Sequence, residues 1–257
     1  MDIYQHFRKE EQPFIDKVLS WIDQVETTYR LKVTDFLDPR EQQIMDLLIG
    51  ENSDASIYQH GGGKYAERKR AVILPPYEEI SEGVFQLTLV QAHYQDKFIS
   101  LEHRDVMGAF LSLGIKRKKL GDIVVENGVI QIVMADEIAP FVLANLTAIK
   151  KAKVKLEEKP LTALMEKEAD WIETDKTVSS LRLDTVVKEI YHISRKDAGE
   201  CIKKLQVKVN FKVVDDAKFP MQEGDLISLR GKGRSKLTSI NGQSKKDKWR
   251  ITTAILK

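Results

Sequence analysis

The sequence predicts an α+β protein of several domains, and three observations carry that expectation. Apolar residues recur at helical spacing in the first fifty positions, strand and helix patterns alternate as β-α-β-β-α-β in the middle, and a basic C-terminal stretch shows two helix patterns followed by short strands. The expected divisions are an N-terminal helical and β-hairpin region (1–80), a middle domain (81–160), a connector (161–176) and a basic domain (177–257). At 257 residues and 42% hydrophobic content, the chain can fill two or three cores of ordinary globular composition.

In the N-terminal region, Phe14, Val18, Trp21, Ile22 and Val25 lie at helical spacing. Asp38 followed by Pro39 supplies an N-cap and a first-turn proline ahead of Ile44, Leu47 and Leu48, so a helical hairpin is expected. Gly61-Gly62-Gly63-Lys64 then makes a turn between two strands, the second running from Ala66 to Leu74 and stopped by Pro75-Pro76.

The middle domain opens with a strand over 84–94, in which Val84, Phe85, Leu87, Leu89, Val90 and Ala92 are apolar. An apolar-striped helix follows over 103–113, and strands over 122–126 and 129–134 flank Asn127-Gly128, a dipeptide suited to a two-residue hairpin turn. A second helix is expected over 136–149 and a last strand over 152–156. This order is the ferredoxin-like (βαββαβ) arrangement, which RNA-recognition motifs share, so the domain is RRM-like in topology. The aromatic residues that stack bases in such motifs are missing, because Val129-Ile130-Gln131-Ile132-Val133-Met134 holds no Phe or Tyr. Beyond it, Trp171-Ile172 is the one apolar mark in a polar stretch and suggests an extra strand ahead of the connector.

Net charge is +2, yet 177–257 holds 18 Lys+Arg against 9 Asp+Glu, a surplus of nine, which leaves the first 176 residues at −7. A basic domain on an acidic remainder is a usual footprint of a polyanion-binding module, since each neutralised phosphate releases condensed counterions; the alternative is a solvated Lys-rich surface. Cys201 is the single cysteine, so no intrachain disulfide can form, which fits a reducing compartment. The charged N-terminus and the absence of any apolar run near the length of a membrane span lead to the expectation of a cytoplasmic protein with no membrane association.

Several chemistries find no support. Gly61-Gly62-Gly63-Lys64 lacks the spacing of a phosphate loop, and Tyr65 stands where a magnesium-binding hydroxyl belongs. No glycine-rich dinucleotide turn follows a strand. His6, His60, His93, His103 and His192 are scattered without metal-ligand spacing. The expectation is therefore no catalysis, no metal, no cofactor and no small-molecule substrate.

In the basic domain a helix opens over 181–190, Ser194 N-caps a second helix running to Leu205, and Val207, Val209, Val213, Leu226, Ile227 and Leu229 supply short strands. Here Arg182-Leu183-Asp184, Ser194-Arg195-Lys196-Asp197-Ala198, Ile202-Lys203-Lys204, Val207-Lys208-Val209-Asn210, Val213-Val214 and Gly224-Asp225-Leu226-Ile227 resemble the S-four domain, which binds structured RNA. Two positions depart from that family: Leu205 stands where a glycine usually ends the second helix, and Phe211 where Asn-Gly usually makes the turn.

The start of the second helix offers free backbone N–H groups and a partial positive charge, and Arg195 and Lys196 add formal charge there. Lys203, Lys204, Lys208, Asn210 and Lys212 extend a strip toward the hairpin, and Arg230, Lys232 and Arg234 add three cations on flexible backbone. Together with Arg182 and Ser194 these are the expected RNA contacts, which would recognise shape rather than sequence; the alternatives are a salt bridge to Asp184 or an acidic surface for Arg182 and plain helix capping, compatible with RNA contact, for Ser194. Lys245 to Arg250 reads as a solvated turn between strands, with Trp249 sealing the small core or stacking on a base.

End to end, the chain resembles the bacterial YlmH-type family, which joins the same three kinds of domain. Outside the basic domain the matching stretches are Ala66-Glu67-Arg68-Lys69-Arg70, His103-Arg104-Asp105-Val106-Met107-Gly108, Leu113-Gly114-Ile115-Lys116-Arg117 and Gly121-Asp122-Ile123. The resemblance implies association with the large ribosomal subunit near transfer RNA, in rescue or quality control of stalled translation, and a looser link to cell division. Arg68, Lys69, Arg70, Arg104, Lys116 and Arg117 form two basic clusters that would make a second RNA surface; the alternative is a charged strand face and a solvated patch at a helix end. Two other functions remain open: an RNA-modifying enzyme of the pseudouridine synthase or methyltransferase type, and a cell-division adaptor.

Overall fold

The computed structural model describes residues 4, 7–48, 54–76, 78–81, 83–165 and 168–257; His6 lies outside them. The chain forms two compact units, Met1–Lys167 and Glu168–Lys257.

The first unit begins with α1 (Gln12–Thr28), which buries Ile15, Val18, Ile22 and Val25. The helical hairpin expected next is interrupted by a strand, β1 (Lys32–Leu37), before α2 (Pro39–Leu48). Asp38 caps α2 as its sequence suggests, accepting the backbone N–H groups of Arg40 and Glu41 at 3.0 and 2.9 Å. Strands β2 (Ser56–His60) and β3 (Lys69–Leu74) follow, and the three strands pair antiparallel in the order β1-β3-β2.

The second half of this unit holds β4 (Leu87–His93), α3 (His103–Ser112), β5 (Leu120–Glu126), β6 (Val129–Ala135), α4 (Ala139–Asn145), a two-residue pair β7 (Ala148–Ile149) and β8 (Ala152–Lys153), and β9 (Glu157–Lys159). The sheet order β5-β6-β4-β9 is all antiparallel and is that of a ferredoxin-like fold. Asn127 and Gly128 both take positive φ, 49° and 75°, as a type I′ hairpin requires. The second helix is shorter than expected, ending near Asn145, and the last sheet strand is Glu157–Lys159 rather than 152–156. Leu146, Ile149, Ala152, Val154 and Leu156 still enter the core, but from a tight hairpin with Lys150 at φ 51°, so their burial mimics helical spacing.

Both faces of this sheet are covered. Val90, Ala92, Ile130 and Ile132 pack under α3 and α4 through Val106, Phe110 and Val142. On the opposite face Leu89, Val133 and Ala135 cluster with Phe36 of β1, flanked by Leu161 and Leu164. Gln131, 1% exposed, is fully engaged there: its amide donates to Gln91 Oε1 and the Ala163 carbonyl at 2.7 and 2.8 Å, and its Oε1 accepts from the Met165 N–H at 2.6 Å. The face that an RNA-recognition motif offers to bases is filled by the protein itself.

Glycine makes that closure possible. A Cβ on Gly121 would stand 2.6 Å from the Phe36 ring and 3.2 Å from the Val133 carbonyl, and one on Gly62 would stand 3.1 Å from Val133. Gly121→Ala is accordingly expected to destabilise this unit by about 2 kcal/mol through overpacking, seen as a midpoint about 5 °C lower in calorimetry. An unchanged midpoint would mean that Phe36 is not held against β5.

In the second unit, β10 (Trp171–Val178) pairs along its full length with β15 (Trp249–Leu256), so the stretch read as a connector contributes a strand to the C-terminal sheet. It starts at the Trp171-Ile172 pair that suggested an extra strand, and because its later residues are mostly exposed and polar, no alternation marks its full length. The remaining elements are α5 (Leu183–Tyr191), α6 (Arg195–Lys203), β11 (Val207–Val209), β12 (Lys212–Val213), β13 (Leu226–Leu229) and β14 (Gly233–Gln243). The sheet runs β10-β15-β14-β13-β11-β12. Val186, Val187, Ile190, Ala198 and Ile202 from the helices meet Val207, Val209, Ile227, Leu229, Leu237 and Ile251 from one sheet face, and Trp249 packs at the margin of that core.

Among the described residues no helix is long and apolar enough to cross a membrane, and no group of His, Cys, Asp and Glu could hold a metal ion.

Candidate nucleic-acid interface

The candidate interface centres on a buried carboxylate. Asp184 lies in the first turn of α5 with its side chain 7% exposed. Arg182, the N-cap residue, donates Nε and Nη2 to it at 3.1 and 2.9 Å, and Arg195 donates Nε at 3.1 Å from the start of α6. Burial opposes the charge on Asp184, but the hydrogen bonds and charges of Arg195 and Arg182 prevail and hold its carboxyl below the usual range. The two guanidinium groups are thereby fixed side by side, with Arg195 the more exposed at 59% of its side chain. Each keeps N–H donors beyond those spent on Asp184.

Helix α6 arrays the next cations. At about 100° per residue, Arg195, Gly199, Lys203 and Lys196 fall within a sector of about 100°, and the buried Ala198 and Ile202 lie outside it. Lys204 sits on the far flank and pairs with Glu200 at 3.6 Å. At the C-terminal end the Gln206 N–H reaches back to the Cys201 carbonyl at 3.0 Å, with Leu205 at φ 57° in the glycine-favouring conformation. The Arg230 N–H then bonds the Gln206 carbonyl at 3.0 Å, which brings the exposed turn carrying Arg230 and Lys232 beside this helix end.

Two expectations need correction. Ser194 does cap α6, but reciprocally with Asp197: its Oγ accepts the Asp197 N–H at 3.0 Å and donates to Asp197 Oδ2 at 2.7 Å. One free amide is used and an acid stands in the first turn, so the helix end is not a vacant phosphate site. Nor do the cations form one strip. Lys208, Ser228 and Arg234 are cross-strand neighbours, and they alternate with the core-facing Val207, Val209, Ile227, Leu229 and Ser235, so they lie on the sheet face turned away from the helices.

On that outer face the Arg234 guanidinium lies 5.6 Å from the Phe211 ring. Lys236, two residues on and absent from the sequence-based set, belongs to the same face; its period-two spacing from Arg234 was the available signal. Asn210 is occupied by the fold, donating to Asp225 Oδ1 at 2.8 Å and accepting the Leu226 N–H at 2.9 Å. It and Phe211 make the turn with φ of 47° and 66°, so Phe211 takes the left-handed position usually given to glycine. Lys212 is exposed on the edge strand β12.

The second cluster is largely internal. Arg68 and Arg70 are 8% and 3% exposed. Arg68 Nη2 donates to the Phe36 carbonyl at 2.9 Å, and Arg70 donates Nε to the Thr34 carbonyl at 2.7 Å and Nη1 to the Gln86 carbonyl at 2.9 Å. Arg117 donates Nη1 to the Leu120 and Gly121 carbonyls, and burial with the nearby Arg68 charge lowers its pKa to about 10. Asp122 accepts the Glu67 and Arg68 N–H groups at 2.6 and 3.2 Å, and burial pushes its carboxyl up. Arg68 and Arg70 thus tie β3 and the loop before it to β1 and to Gln86, Asp122 joins that loop to β5, and Arg117 closes on the start of β5. Arg104 is exposed and paired with Glu102 at 3.0 Å, Lys116 is exposed and Lys69 half-buried.

Residues 10–78 match the family model described as "YlmH, N-terminal", residues 81–163 that described as "Putative RNA-binding domain in YlmH", and residues 181–227 the S4 domain. Over 251 residues the chain is 46% identical to the "Ribosome-associated protein quality control protein P2" of Bacillus subtilis (strain 168), covering 98% of this chain and 97% of that protein. A 52-residue stretch is 42% identical to an "Uncharacterized RNA pseudouridine synthase" of Aquifex aeolicus (strain VF5), covering 20% of this chain and 22% of that one. The solved structure of "Cell division protein ylmH from Streptococcus pneumoniae" matches with a TM-score of 0.57 at 28% identity, covering 64% of this chain and 99% of that one.

Proposed function

The chain belongs to the YlmH family, and from that premise we propose that it is a non-catalytic RNA-binding protein of the cytoplasm. It docks on structured ribosomal or transfer RNA of the large ribosomal subunit and acts in rescue or quality control of stalled translation. The observation that carries this reading is the pair of guanidinium groups held on Asp184 at the head of the cationic sector of α6. A rigid cationic array of this kind engages phosphates and fixes register without reading bases, which suits folded RNA. The ribosome association named for the Bacillus relative, at 46% identity, supports the partner.

The non-catalytic part rests on Asp184 as well. Asp184 stands in the Arg-Leu-Asp setting that a pseudouridine synthase reading would claim, and here its oxygens are engaged by two arginines in a nearly closed site. The name of the Streptococcus structure supports a second role, as an adaptor in cell division. Sucrose-gradient sedimentation of cell extract separates the two: the proposal expects the protein in the large-subunit fractions at low salt and its partial release at moderate salt. An adaptor independent of RNA stays at the top of the gradient under both conditions.

A further inference from the structure

Helix α6 carries a glycine that its own fold does not use. Gly199 lies in the helix interior, where glycine is among the least favourable residues. A Cβ built there meets nothing within 4 Å, whereas at Gly61 and Gly121 it would strike neighbouring atoms at 2.3 and 2.6 Å. Neither packing nor a left-handed backbone calls for glycine at this position.

Its surroundings supply a reason. Arg195 and Lys196 precede it by four and three residues and Lys203 follows it by four, the spacings at which helix side chains are surface neighbours. Gly199 therefore marks a gap in the middle of the cationic sector, bounded by three positive side chains. Arg195 and Lys203 are eight residues apart, about 12 Å along the axis. One inorganic anion cannot span that distance, whereas a chain of phosphates can.

We infer that the sugar–phosphate backbone of the bound RNA crosses α6 directly over Gly199, in van der Waals contact with its Cα, while Arg195, Lys196 and Lys203 hold the flanking phosphates. The inference rests on the RNA-binding reading above and adds the line of approach: the strand lies against the main chain of the helix instead of standing off on the tips of the lysines.

The test uses the full-length protein with Gly199→Ala and Gly199→Leu, a structured RNA stem-loop as probe, and thermal unfolding in parallel. Stability and affinity should move in opposite directions. Gly199→Ala should raise the unfolding midpoint of the C-terminal unit by about 5 °C yet bind the stem-loop about tenfold more weakly, with a larger loss for Leu. RNA affinity equal to or above wild type for Gly199→Leu would overturn the inference, as would a lowered midpoint for Gly199→Ala, which would give the glycine a structural role. Lys196→Glu/Lys203→Glu separates the two levels of the claim. If that variant loses RNA binding while Gly199→Leu keeps it, only the contact at Gly199 fails; if neither loses it, the RNA-binding reading of this helix fails too.

Discussion

Reversing two charges on α6, Lys196→Glu with Lys203→Glu, is expected to weaken binding to structured RNA by about two orders of magnitude at moderate salt while leaving the fold intact. Both side chains are exposed. Lys196 lies in the first turn and Lys203 in the last. A glutamate is favoured by the helix dipole at the first position and disfavoured at the second, so the two stability effects offset each other. Each reversal removes one phosphate contact and adds repulsion, so the slope of log affinity against log salt should become shallower by about 1.4. Fluorescence anisotropy over a salt series reads both numbers, and an unchanged slope would place the RNA elsewhere.

Asp184→Ala should have the largest effect on stability, a loss of about 2–3 kcal/mol. The value lies below that for a fully buried pair because Arg195 is 59% exposed and partly screened by solvent. Without the carboxylate, the Arg182 and Arg195 guanidinium groups face each other with no counter-charge. The loss must also depend on pH. The folded-state pKa of Asp184 lies below its unfolded value of roughly 3.9. Its contribution is therefore complete above that value and disappears as pH falls through the lower, folded one. Denaturant unfolding of wild type and variant should converge at the acid end and differ fully near neutrality. RNA affinity gives a further check: the variant is more positive by one charge, so net charge alone predicts tighter binding, whereas loss of the anchored guanidinium pair predicts weaker binding.

The sequence was most legible where local chemistry decides the structure. Asp38 and Ser194 cap the helices they precede, and Asn127-Gly128 makes the hairpin its residue types favour. The topology of the middle domain follows from these signals and from apolar alternation. Legibility failed where distant backbone decides the outcome. Arg68 and Arg70 look like surface charge in a basic run, but their partners are carbonyls of Phe36, Thr34 and Gln86, which only the tertiary fold brings within reach. Strand β1 was hidden between two strong helix patterns, and of β10 only its first two residues, Trp171 and Ile172, stood out from a polar stretch.

In the candidate interface, residue types and their clustering were readable, but their division between two surfaces was not. Lys208 and Arg234 follow Lys203 closely in sequence or motif, yet strand alternation sends them to the sheet face opposite the helices. The presence of Asp197 in the first turn after the capping Ser194 was likewise visible in the residues, an acid where the helix dipole favours one. Its consequence, that the helix end is already satisfied from within, depended on geometry.

The central claim is that an anchored set of cations on α6 and its flanking turns meets RNA phosphates, and the salt dependence of RNA affinity for the intact wild-type protein tests it most directly. Contact with about seven phosphates predicts a log–log slope of roughly −5. A slope near zero, or one that Lys196→Glu/Lys203→Glu leaves as steep as in wild type, would contradict it.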